Sequence, residues 1–127
     1  MQLSPEELRY YREQLAGLEV ANKALDVIEE AEGDLEDAAT TIALAVGQNP
    51  DRIDWLDGWA KRCRAAICQE KIRQDLENNY LASAVKCLLE EKICPPLLLT
   101  PLLIYVVKKG VSQFCKPLSY QLNPHQQ

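Results

Sequence analysis

The stretch ICPPLLLTPLLIYVVKKG, Ile93–Gly110, is the most apolar in the chain and closes on two lysines. Three readings compete for it: a membrane span, a lipid-surface anchor, or the core of a helical body. From Ile93 to Val107, eleven of fifteen residues are apolar, three are Pro and one is Thr100. As a helix these residues cover about 22 Å, short of the ~30 Å hydrocarbon core of a bilayer. The prolines shorten the usable helix further. Thr100 suits an N-cap, Pro101 the first helical position, and Lys108 and Lys109 the negative end of the helix dipole before Gly110. A short helix that is apolar all round belongs at the centre of a bundle or under a partner. Lying on a membrane surface requires a polar basic face beside the apolar one, and only the two terminal lysines supply it. The stretch is therefore expected to be buried core, with a partner interface as the next choice and no transmembrane segment.

The rest of the chain fits that reading. At 127 residues it is long enough for one domain with its own core. An apolar share of 47% and a charged share of 26% place it with globular proteins rather than disordered ones. The five cysteines, Cys63, Cys68, Cys87, Cys94 and Cys115, include no Cys-x-x-Cys pair. An odd number, with no signal-peptide pattern ahead of them, points to a reducing cytoplasm. They read as small apolar residues on buried helix faces.

Helix signals punctuate the sequence. In LSPEEL, Ser4 suits an N-cap, Pro5 the first turn and Glu7 the reciprocal position of a capping box, with Leu3 and Leu8 as a hydrophobic staple. Leu8, Tyr11, Leu15, Leu18, Ala21, Leu25 and Ile28 then continue at helical spacing to Gly33, which predicts one long N-terminal helix. Within it Asn22 falls at a core position of a coiled-coil pattern, where a lone Asn can set register. A second helix is expected from Asp34 to Gly47. A third starts with Asn49 and Pro50, follows Ile53, Leu56, Ala60, Cys63 and Ile67, and runs to Leu76. A fourth carries Leu81, Val85, Leu88 and Leu89 and stops before Pro95 and Pro96. The expected fold is all-α: a compact bundle of four to five helices in a single domain, residues 1–115, with a flexible tail over residues 116–127.

Chemistry finds few footholds. The sole histidine, His125, sits near the end of the chain, which disfavours His-based acid–base work, triads and Glu-x-x-His metal sites. No glycine-rich phosphate loop occurs. The acidic run Glu29–Asp37 lacks the alternating ligand spacing of a Ca²⁺ loop and reads as a solvated helix junction. No catalytic, cofactor-binding or metal-binding residue is expected.

Interaction is the better-supported class. Residues 1–60 hold fourteen acidic against four basic side chains, and residues 61–127 hold five against ten. Either the two halves neutralise each other within one molecule, or they meet between subunits. Lys61, Arg62, Arg64, Lys71 and Arg73 make the most basic segment. Just before it, Trp55 and Trp59 stand four apart on one helix, and tryptophans serve as core anchors and as interface hot spots alike. Trp55, Trp59, Arg62 and Arg64 are the expected partner-binding residues. Ala43, Gly47 and Ile53 also keep helix-turn-helix spacing. The exposed Asp51, Asp54 and Asp57 of its second helix would repel phosphates, which argues against nucleic acid.

The block DLEDAATTIALAVGQNPDRIDWLDGWAKRCRAAICQE resembles small all-helical cyanobacterial proteins with a domain of unknown function. The resemblance implies a soluble bacterial protein and carries over no functional residue. The sequence thus predicts a non-enzymatic cytoplasmic protein-interaction or regulatory module, self-associating as a homodimer or engaging another protein. A helix-turn-helix-like nucleic-acid-binding regulator is the alternative.

Overall fold

The computed structural model describes residues 1–47 and 55–122, with side chains described as far as residue 117. Among the described residues the class is all-α, and the only extended pairing is an isolated bridge between Gln2 and Asp34. Among the described residues nine helices replace the expected four or five. They are α1 (Pro5–Gln14), α2 (Glu19–Glu30), α3 (Leu35–Ala45), α4 (Trp55–Arg62), α5 (Arg64–Ile67), α6 (Glu70–Glu77), α7 (Ala82–Glu91), α8 (Pro96–Lys109) and α9 (Val111–Leu122).

The capping box forms as its residues require. Glu7 N donates to Ser4 Oγ at 3.1 Å, and Ser4 N donates to Glu7 Oε1 at 2.9 Å. The single long N-terminal helix does not form, because the chain turns between α1 and α2. Asn22 supplies the reason. Its Nδ2 lies 3.2, 3.1 and 3.0 Å from the carbonyl oxygens of Leu15, Ala16 and Leu18, satisfying acceptors freed at the break. The residue expected in a coiled-coil seam instead closes a corner. Arg12 Nη2 reaches Asp26 Oδ1 at 2.8 Å and clasps the two helices together. Gly33 takes a positive φ of 87°, and its carbonyl accepts from Leu3 N at 2.8 Å. A Cβ at Gly33 would stand 2.4 Å from the Leu3 carbonyl oxygen, so only glycine permits this approach.

The expected third helix is also broken, into α4, α5 and α6. Its start at Asn49 and Pro50 lies outside the described residues. The bends have a packing reason: α4 lies on α8, α5 on α9, and α6 on α7 and α9. A straight rod could not cover all of these neighbours.

All of this wraps α8. That helix starts at Pro96, not at Pro101, so Thr100 is no cap. Thr100 is buried within the helix, its hydroxyl without a partner, and Pro101 lies inside it. An internal proline costs about 3 kcal/mol. Burial of Leu98, Leu99, Leu102, Leu103, Ile104 and Val106, each contributing about 1.5–3 kcal/mol, outweighs it. Helices α2, α3, α4, α7 and α9 surround α8. The apolar stretch is core. At Gly110 the chain bends by 95° into α9. No single helix among the described residues is long and apolar enough to cross a membrane.

One expectation fails near the C-terminus, and a helix crosses the expected tail boundary. Cys68 and Cys115 form a disulfide with Cα atoms 5.6 Å apart, tying the end of α5 to α9. The cysteine count therefore no longer argues for a reducing cytoplasm. Helix α9 continues to Leu122, so the expected boundary at residue 115 falls inside a helix. Residues 123–127 lie outside the described part.

Candidate partner-binding face

Helix α4 presents Trp55, Trp59 and Arg62, and α5 begins with Arg64. Both tryptophans are half-buried and lean on the core, leaving part of each ring at the surface. Arg62 is exposed, and its guanidinium lies 4.6 Å from the centre of the Trp59 ring. A cation over an indole face contributes about 0.5–1 kcal/mol at such a site. The structure thus brings Trp59 and Arg62 together. Arg64 is not part of that stack; its guanidinium lies 4.8 Å from the centre of the Phe114 ring of α9. Trp55 joins neither stack.

Around Arg64 lie residues that the sequence reading did not assign to a site. Asp57, Arg64, Lys109, Gln113 and Phe114 line a cleft of about 170 Å³ between α4, α5, the end of α8 and the first turn of α9. Tyr105 OH donates to Asp57 Oδ1 at 2.9 Å, and Lys61 Nζ stands 3.0 Å from Asp57 Oδ2. Burial pushes the Asp57 carboxyl up, but the bonds from Lys61 and Tyr105 outweigh it and hold the group below its usual value. Asp57 is therefore ionised and already engaged by both oxygens. Lys109 Nζ lies 5.7 Å from the centre of the Tyr105 ring. The KKG sequence signals a basic helix end, yet it cannot say that Lys108 leaves for Glu7 while Lys109 stays at the cleft.

The Arg64 guanidinium is the anomaly. It enters no ion pair among the described residues, and its Nε is buried with no hydrogen-bond partner. A buried donor left unpaired costs about 1–3 kcal/mol, more when charged. Next to it, Cys63 and Cys94 form a buried thiol pair. Cys94 donates to Cys63, which holds Cys63 down and pushes Cys94 up.

Opposite charges do not cancel within the molecule as the sequence allowed. Of the basic residues from position 61 on, only Lys61 and Lys108 reach an acid of the first half among the described residues, pairing with Asp57 Oδ2 at 3.0 Å and Glu7 Oε2 at 2.8 Å. Arg62, Arg64 and Lys109 form no ion pair there, while Glu30, Glu32 and Asp37 are exposed on the other half. A second, larger groove of about 700 Å³ runs between the N-terminal segment, α1 and the end of α2. Its Arg12 is already held by Asp26 and Glu29, and Arg9 and Glu32 line it as well. Among the described residues no group of three or more His, Cys, Asp or Glu side chains is placed to hold a metal ion. Of the helix-turn-helix spacing, Ala43 is buried and Gly47 takes a positive φ of 80° at the end of α3, but Ile53 lies outside the described residues.

Comparison with protein-family models, with curated proteins and with solved structures returned no match.

Proposed function

We propose that this chain is a non-enzymatic interaction module that docks an acidic segment of a protein partner on the face formed by Trp59, Arg62, Arg64 and Lys109. One observation carries the reading: Arg64 is a half-buried cation with a buried Nε that has no hydrogen-bond partner, and it enters no ion pair among the described residues. Supporting it, the stacked Trp59–Arg62 pair and the half-buried Trp55 are of the residue types enriched at interface hot spots. Charge complementarity then selects the partner's chemistry, because unpaired cations beside aromatic rings favour carboxylates.

Calorimetric titration of the whole chain with a glutamate-rich peptide tests this. Arg62→Gln and Arg64→Gln together should weaken binding by about tenfold or more, equal to about 1.4 kcal/mol. Raising the ionic strength from about 0.05 M to about 0.3 M should weaken it too. Absence of binding at low salt contradicts the proposal. The chain's own acidic run is the rival source of the same chemistry, and sedimentation equilibrium separates the two. A salt-sensitive dimer lost on Arg64→Gln identifies a second copy as the partner, whereas a monomer that still binds the peptide identifies another protein. A duplex DNA titrated in parallel tests the nucleic-acid alternative, which requires affinity falling steeply with salt.

A further inference from the structure

A buried donor without a partner is rare in a folded protein, and a bound water or ion is one way such a donor is satisfied. Arg64 Nε is such a donor, and it belongs to a residue that lines the 170 Å³ cleft. Three features make this cleft receptive to negative charge. Arg64 and Lys109 bring two cations, neither ion-paired among the described residues. Asp57, the only carboxylate in the lining among the described residues, has both oxygens taken by Tyr105 and Lys61. Helix α9 starts here, with Gln113 and Phe114 in its first turn and no acidic residue in that turn, so its positive dipole end adds to the field.

We infer that the cleft between Arg64 and Lys109 is a socket for a single oxyanion group, which in the docked complex is a carboxylate of the partner's acidic segment. The source of the oxyanion rests on the docking proposal, whereas the socket rests on its own geometry. The two terminal nitrogens of a guanidinium form a fork matched to two oxygens of one group. Phe114, stacked against the guanidinium, restrains its plane. Lys109 adds a second charge and Gln113 an amide donor. A carboxylate and a phosphate share the chemistry such a fork recognises, so inorganic phosphate is the simplest probe.

The test is a titration of the isotopically labelled full chain with inorganic phosphate, following the arginine Nε–H signals by NMR. Chloride at matched ionic strength is the control. The Arg64 Nε–H and Gln113 amide signals should move saturably with phosphate and not with chloride. Lys109→Gln should weaken phosphate binding by about tenfold, while Lys23→Gln, on α2 and outside the cleft, should change it by less than about twofold. Arg64→Lys keeps the charge but removes the fork, and should weaken binding comparably with the helical circular dichroism spectrum retained. An Arg64 signal unmoved by phosphate overturns the socket, even if a glutamate-rich peptide binds elsewhere on the chain. Saturable phosphate binding that the peptide displaces supports both socket and docking. Saturable binding that the peptide leaves untouched keeps the socket and overturns the docking proposal.

Discussion

Asn22 decides where the first helix ends. Its amide donor is the group that makes a turn at Leu15–Leu18 affordable to the backbone, so removing the donor should cost stability in proportion. Asn22→Ala should lose about 1 kcal/mol, and Asn22→Asp, which keeps the size but has no N–H to give, should lose at least as much. Urea unfolding of the three proteins measures this, and an unchanged Asn22→Asp midpoint would show that the donor does not hold the corner. Glu7 is the other informative single residue. Lys108 first, and Ser4 second, hold its carboxyl below the usual value. A carboxyl lowered in the folded state stabilises above its unfolded value, and that stability is lost as pH falls through the folded value. Glu7→Gln keeps an acceptor for the capping box but drops the ion pair. Because Glu7 is partly exposed, the loss near neutrality should stay below about 1 kcal/mol. The gap between the two proteins should close in acid, and a gap that widens there contradicts the assigned ion pair.

At the scale of elements, legibility followed local chemistry and failed where packing decided. The capping box at Ser4 and the stop at Gly33 were legible because each depends on neighbours within a few residues. The apolar character of residues 93–110 was legible too, since its length alone excluded a span. The breaks at Leu15–Leu18, Cys63 and Cys68 were not, because apolar spacing runs straight through all three. Pro101 misled in the opposite direction: a proline in an isolated helix marks its start, but the burial around α8 tolerates one inside. Arg62 and Arg64 were legible as a basic pair on the sequence, yet their separation onto Trp59 and Phe114 depends on the bend at Cys63. The disulfide was illegible because Cys68 and Cys115 lie 47 residues apart and only the fold brings α9 against α5. It gives the clearest element-level prediction. Cys68→Ser should lower unfolding free energy by about 2–4 kcal/mol under oxidising conditions and by far less under reducing ones. Equal stability of the two oxidised proteins would show that the crosslink does not secure α9.

For the whole molecule, the organisation is a buried apolar helix, α8, with shorter helices wrapped around it and charge left over at the surface. The wrapping explains why Arg62, Arg64 and Lys109 enter no ion pair among the described residues: α2 and α3 turn their apolar faces to α8, and their acids stay in water. The proposed docking face is the place where cations without an ion pair among the described residues meet the half-buried Trp59. Hydrogen exchange of the intact chain, with and without a glutamate-rich peptide at low salt, tests this account most directly. Slowed exchange confined to residues 55–64 and 109–114 is the predicted result. Slowed exchange along α1 and the end of α2 instead, or none anywhere with the peptide in excess, would contradict it.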